Sequence, residues 1–363
     1  MNTLPEKNRW DTVYENTIWS DEIIKIRTGK TKEELLNNYG IKAESGVGHN
    51  LITFYIDNYE QYSILVSLFN QHRNLGGERL WSLFYRGVKD SSFELKSSLR
   101  VSGLERYECR IITDLYNLYP YEFENCKSDF EMIAKMRHYG LPTRFIDFTR
   151  NPNVALWVAC EEFNNKDGMV YLIETSHDVL PFRMAEVLCK FARFDRGFDM
   201  VDERALYDYI SIPDLKYYMQ TMWAFASSMF IEPPRVDKRE VNQEAVFLAE
   251  CNELYHVFWS SEGQKLETLK EDDYMAKSNI LLKKLPNNIV DGHLCCGSLK
   301  AVNTYQYYND IRIIISCAGK KQILDELNCR GINKAFMYPT IENSVDVIKD
   351  RYRLIDIKNA GEH

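Results

Sequence analysis

No run of apolar residues in this chain approaches the roughly 20 needed to cross a bilayer. The longest, Ile311–Cys317 and Val154–Cys160, suit a strand or a short helix. The opening MNTLPEKNRW lacks an apolar signal core. These absences lead to the expectation of a cytoplasmic protein with no membrane partner. The nine cysteines form no C-x-x-C pair and read as reduced thiols. There is no Walker loop, no GxGxxG, no GxSxG and no HExxH. His293-Leu294-Cys295-Cys296 finds no convincing second pair in Cys251 and His256, so no metal is expected. Basic residues are also in deficit, 45 against 53 acidic, for a formal charge of −8. That excludes a general duplex-binding surface but leaves room for a local basic groove.

The 363 residues are 45% hydrophobic and 27% charged, enough for a substantial core in one large or two ordinary domains. Aromatics reach 13%, with 23 tyrosines. The cluster Tyr107, Tyr116, Tyr119 and Tyr121 reads as helix packing rather than a stacking platform.

Hydrophobic spacing sets the expected elements. Residues 1–55 read as an N-terminal extension, with a helix over Glu22–Asn37. Tyr62, Leu65, Val66 and Phe69 recur on one helical face within residues 51–75, which open with a strand. Leu80–Gly87 reads as a buried strand, residues 104–119 and Phe130–His138 as helices, and Thr143–Thr149 as a strand. Asn151 then caps a helix that begins with Pro152. Met169–Glu174 is a further strand. Residues 175–240 read as a helical insertion or lid, with helices over Phe182–Phe194 and Leu215–Phe230. Val241–Glu250 is a strand candidate, residues 260–300 are charged and loop-rich, and Ile311–Ser316 is a strand. Lys320–Cys329 (helix), Ile332–Tyr338 (strand) and Thr340–Tyr352 (helix) complete the chain.

The segment His138–Cys160, HYGLPTRFIDFTRNPNVALWVAC, is the densest in chemistry. A polar strand that runs into a helix N-terminus is a common way to build a small-molecule site. Strand alternation puts Thr143, Phe145, Asp147 and Thr149 on one face and Arg144, Ile146 and Phe148 on the other. Asp147 can cap the next helix, pair with an arginine or act directly. Arg86 stands at a strand end before Gly87, a charged fork suited to phosphate or carboxylate, with a glycine that would admit a ligand to the backbone. Gln243 and Glu244 are neighbours on their expected strand, so only one of them can face a shared pocket.

These residues resemble the FRG-domain proteins. The Phe/Tyr-Arg-Gly element is Phe84-Tyr85-Arg86-Gly87, followed by Ser97-Ser98-Leu99-Arg100. The strongest signature is His138-Tyr139-Gly140-Leu141-Pro142-Thr143-Arg144, with Asp147, Thr149, Pro152, Ala155 and Leu156. Gln243-Glu244-Ala245-Val246-Phe247 is similar to a Gln-x-Gly-x-Phe element, with Ala where the family has Gly. The resemblance implies an FRG domain over residues 56–353. The order of motifs is further similar to the Arg–Ser/Thr–Glu layout of ADP-ribosyltransferases. That likeness implies an α+β fold with a mixed, split β-sheet surrounded by helices. It implies NAD as substrate, glycosyl transfer of ADP-ribose to a protein or nucleic-acid acceptor, and a role as a bacterial toxin or anti-phage effector. Catalytic roles would fall on Arg86, Thr143 and either Gln243 or Glu244. Ligand-binding roles would fall on Tyr85, Gly87, His138, Arg144, Asp147 and Thr149. The alternative is a module that binds or senses a nucleotide or nucleic acid without chemistry.

Overall fold

The computed structural model describes residues 21–45, 51–72, 82–162, 165–175, 182–194, 200–201, 228–234, 238–250, 252–260, 265–270, 289–299 and 310–349. Within residues 252–299 the description is of backbone alone. Twelve strands are described: β1 Lys42–Ser45, β2 Leu51–Ile56, β3 Ser82–Val88, β4 Phe145–Thr149, β5 Gly168–Thr175, β6 Met200–Val201, β7 Met229–Ile231, β8 Ala245–Ala249, β9 Asn252–Ser260, β10 Lys265–Lys270, β11 Ile289–Leu299 and β12 Asp310–Ile315. The first helices are α1 Asp21–Thr28, α2 Lys32–Tyr39, α3 Tyr59–His72, α4 Ser98–Val101, α5 Glu108–Leu118 and α6 Pro120–Phe123. They are followed by α7 Asp129–His138, α8 Pro152–Cys160, α9 Phe182–Arg193, α10 Lys238–Asn242, α11 Lys320–Cys329 and α12 Lys334–Met337. A last helix covers 341–349.

The fold is α+β. Eight strands form one open mixed sheet in the order β1-β2-β12-β5-β3-β4-β8-β7. Only the pair β2–β12 is parallel, joining residues 51–56 to residues 310–315. Strand β1 and residues 51–55 of β2, assigned from sequence to the extension, therefore lie in the same sheet as the strands of Arg86 and Asp147. A smaller sheet, β10-β9-β11-β6, draws two of its strands, β10 and β11, from residues 260–300, expected to be loop-rich. Its strands depend on pairing between distant segments, which composition does not reveal.

Alternation along the strands divides the core. On one face, Ile52, Phe54, Ile56, Tyr85, Val170, Leu172, Ile311, Ile313 and Ile315 pack with α3, α8 and α11. On the same side, Phe145, Phe247, Ala249 and Ile231 pack with α5, α7 and α9. Phe84, Ile146, Phe148, Ile173, Val246 and Leu248 form a separate cluster on the opposite face. Each fully buried aliphatic or aromatic side chain contributes about 1.5–3 kcal/mol of transfer free energy. The two helix groups leave a gap at mid-sheet, and the candidate site lies there.

Helix α8 sits unusually near the sheet. It starts as expected, with the Asn151 side chain accepting from the Asn153 amide and Pro152 in the first turn. Its Ala155 and Ala159 backbone presses on Gly87 and Gly168. A Cβ on Gly87 would fall 1.9 Å from the Ala155 carbonyl oxygen, and one on Gly168 would fall 2.2 Å from that of Ala159. Gly87 is thus required for helix-on-strand packing, a role the sequence did not announce.

Other departures have local causes. The helix expected over Glu22–Asn37 breaks at Gly29, which adopts φ +66°, and Thr31 starts a second helix with a capping box. Within the expected strand Ile332–Tyr338, Lys334–Met337 is helical, its start capped by the Asn333 side chain accepting from the Phe336 amide. The expected strand Val241–Glu250 begins only at Ala245; α10 precedes it, and Glu244 turns the chain at φ +46°. Of the expected helix Leu215–Phe230, Met229 and Phe230 belong to strand β7, and residues 215–227 lie outside the described residues. Helix α9 is no lid, since Leu188, Cys189 and Phe191 are buried in the core.

The close approach of α8 makes Gly87→Ala a strong test. The clash is with backbone, so relief requires the helix to move. A loss of about 3 kcal/mol or more is expected in denaturant unfolding, whereas Gly103→Ala, where a Cβ meets no atom within 4 Å, should cost only about 1 kcal/mol, the strain of its positive φ.

Candidate functional site

A cleft of about 450 Å³ opens between the two helix groups, a volume typical of small-ligand sites. Its floor is Tyr85 and Gly87 of β3, Asp147 and Thr149 of β4, and Ala245 and Phe247 of β8. One wall comes from α8 with Glu161 and Tyr338. The other comes from the end of α7 (Arg137, His138) and from α10 with Gln243.

Strands β3 and β4 share a single paired position, Tyr85 opposite Thr149. Arg86 spans the two strands instead. Its Nη1 donates to the Asp147 carbonyl at 2.8 Å. Its buried Nε has no hydrogen-bond partner among the described residues. Burial pushes the guanidinium pKa down, against a partial rise from Asp147. An arginine N–H buried at a cleft without an acceptor calls for an anionic or carbonyl ligand.

Asp147 is the one exposed position in β4, with its side chain 59% accessible. Arg137 holds it in a fork, Nε to Oδ1 at 2.9 Å and Nη2 to Oδ2 at 2.5 Å. Burial at the cleft floor opposes ionisation. The charges and hydrogen bonds of Arg137, with Arg86 and Arg239 beyond, outweigh it and hold the carboxyl below its ordinary value. Its exposure leaves the carboxylate reachable from the cleft. Thr143 is buried outside the cleft and accepts from Arg137 Nη1 at 3.0 Å, so it orients the arginine that orients Asp147.

Thr149 braces the opposite end. Its Oγ1 donates to the Gln243 carbonyl and accepts from the Asn151 amide. The Gln243 amide group faces the cleft, with Nε2 donating to the Met337 carbonyl at 2.9 Å. Glu244 does not line the cleft; its carboxylate accepts from the Asn151 Nδ2 at 3.1 Å. His138 lines the cleft, and its Nε2 is 3.2 Å from the buried Glu240.

Arg144, expected to touch ligand, is buried away from the cleft. Its Nε donates to Glu108 at 2.8 Å, and Nη2 pairs with the other carboxylate oxygen. The Ser97–Arg100 element is likewise framework. Ser98 hydrogen-bonds both backbone groups of Thr143, and the Ser97 amide and Arg100 meet the buried Glu250. Tyr85, Arg86, Gly87, His138, Asp147, Thr149 and Gln243 therefore meet in one cleft; Thr143, Arg144 and Glu244 lie outside it. Arg137, Arg239, Glu240 and Tyr338 also line it and were not singled out from sequence. For Arg137 a signal existed: it precedes His138 at the basic end of a helix.

Fold and site define an α+β protein with an arginine-rich cleft cut into the middle of a mixed sheet. The family model of the FRG domain matches residues 82–168 of the chain. No curated protein and no solved structure matches it. Among the described residues no helix is long and apolar enough to cross a membrane, and no cluster of His, Cys, Asp and Glu is suited to a metal.

Two outcomes follow from the ion pairs. Arg144→Met strips the buried Glu108 of its guanidinium partner, so unfolding should lose about 3–5 kcal/mol while ligand affinity of the folded fraction is unchanged. Asp147 titrates below the ordinary value of about 3.9. Its pairing therefore stabilises the fold at neutral pH and is lost only as pH falls through the lowered folded value. In Arg137→Met the burial effect is opposed only by Arg86 and Arg239, so the Asp147 carboxyl midpoint followed by NMR should rise.

Proposed function

We propose that the cleft binds NAD and that the protein transfers its ADP-ribose to a macromolecular acceptor, acting in the cytoplasm as a toxin or anti-phage effector. The observation that carries this reading is the order of groups across adjacent strands. Arg86 on β3 lies beside Asp147 and Thr149 on β4, which lies beside β8, entered through Gln243. That is the order of the Arg, Ser/Thr and Glu motifs in the ADP-ribosyltransferase layout, and it frames one cleft. Likeness of order alone is analogy; the partnerless Arg86 Nε adds a physical reason for an anion to bind.

In this scheme Arg86 grips a phosphate and the Asp147 carboxylate, reachable from the cleft, accepts from a ribose hydroxyl. As the bond from ribose C1′ to the nicotinamide nitrogen breaks, its electron pair leaves with nicotinamide and positive charge grows on the sugar. The carboxylate of Asp147 and the amide oxygen of Gln243 are the dipoles and charges available to oppose it. The acceptor's lone pair then closes on C1′ and its proton passes to solvent.

A second reading has its own support. Gln243 brings no negative charge, and Glu244 is turned to Asn151. Those facts favour a module that binds a nucleotide without turnover.

Incubation of the purified chain with NAD and a lysate separates the two. Released nicotinamide and an ADP-ribose mass added to an acceptor are expected, and both should fall at least tenfold in Arg86→Gln, which loses a charge-assisted bond worth about 1.5–3 kcal/mol. Tight calorimetric binding of ADP-ribose with no nicotinamide release selects the binding module. No binding of NAD or ADP-ribose removes both.

A further inference from the structure

The charges of the cleft can be paired off. Four basic side chains line it, Arg86, Lys89, Arg137 and Arg239, with three acidic ones, Asp147, Glu161 and Glu240. Asp147 is held by Arg137, Glu161 lies 3.4 Å from Lys89, and Glu240 lies against His138. Neither Arg86 nor Arg239 forms an ion pair with a carboxylate among the described residues, yet both lie near enough to Asp147 for their charges to act on it.

Arg239 is also held in place. Its guanidinium lies over the Tyr338 ring, 4.9 Å from the centroid. That ring meets Trp157 edge to face at 5.7 Å, and burial together with the nearby Glu161 carboxylate holds its hydroxyl above the ordinary phenol pKa. A guanidinium stacked on a fixed ring keeps its in-plane N–H groups for another partner. Nothing else described in the structure uses them.

We propose that Arg239, stacked on Tyr338, is the second of two anion grips in the cleft and that, with Arg86, it selects ligands whose two phosphates are linked in a diphosphate. This rests on the reading of the cleft as a nucleotide site and narrows it. One arginine suffices for a monophosphate. Two unpaired arginines on different elements, β3 and α10, match two charged groups joined by a bridge. The cleft's Asp147 is already paired with Arg137 and so does not use up either of these charges. Tyr338 and Arg239 then discriminate by the number of phosphates and leave the base unread.

Calorimetry on the full chain with ADP, AMP, pyrophosphate and phosphate tests this. ADP should bind at least tenfold more tightly than AMP. Arg239→Gln should abolish that ratio and leave AMP within about twofold, because a lost grip on the second phosphate does not touch the first. Arg86→Gln should weaken both nucleotides. Arg239→Lys keeps the charge without the flat stack and should retain part of the preference; it also serves if the glutamine variant does not fold. An unchanged ADP-to-AMP ratio in folded Arg239→Gln overturns the proposal while the nucleotide site stands. If neither nucleotide binds but pyrophosphate does, in an Arg239-dependent way, the two-phosphate grip holds and the nucleotide reading fails. Equal binding of pyrophosphate and phosphate to the wild type overturns the grip itself.

Discussion

The near contact between α8 and the sheet governs the rest of the molecule. Two glycines on adjacent strands, Gly87 and Gly168, face two alanines one helical turn apart, Ala155 and Ala159. Backbone meets backbone with no side chain between them. Because α8 sits so low, its N-terminus at Asn151 reaches both Thr149 and the Glu244 turn. The same position makes Val154, Ala155 and Val158 one wall of the cleft. A helix one side chain further out would leave the sheet surface open and the Asn151 contacts unmade. The glycine of the Tyr85-Arg86-Gly87 element and the alanine of the downstream helix are thus two halves of one packing requirement.

Charge is used in two ways around that core. Arg144 with Glu108, and Arg27 with Glu174 at 2.7 Å, are fully buried pairs that lock elements together. Such pairs add little net stability and make the arrangement intolerant of losing either member. Arg137 with Asp147 stands between framework and site. It is an ion pair built on the cleft floor, with the carboxylate still reachable. Arg86 and Arg239 lack a carboxylate and face the same space. The contrast between satisfied and unsatisfied guanidinium groups, rather than the number of arginines, marks where a ligand belongs.

Much of this was legible in the sequence where local rules decide. The Asn151 cap, Pro152 and the apolar run after them announce α8, and the strands around Arg86 and Asp147 follow from their apolar neighbours. The bringing together of Arg86, Asp147, Thr149 and Gln243 followed from family likeness, since no local rule states which distant segments meet. The failures share a cause. Arg144 looked like Arg86 on paper, and only the position of Glu108, 36 residues away, reveals it as framework. Gln243 and Glu244 were read as strand neighbours on opposite faces. A left-handed Glu244 instead ends a short helix there, a conformation that side-chain type does not announce. Arg239 lay in a stretch of irregular pattern and Tyr338 at the end of an expected strand, and their meeting is purely tertiary.

The matched span, residues 82–168, contains β3 and β4 whole but only the first residue of β5. Those two strands touch at one paired position, and their long ladders run to β5 and β8, outside the span. The parallel pair β2–β12 extends the dependence to segments more than 250 residues apart. The stretch that defines the family is therefore a recognisable text and not a self-sufficient body. Fragments trimmed to it would expose raw sheet edges, so any dissection of this protein must cut where ladders end rather than where likeness does.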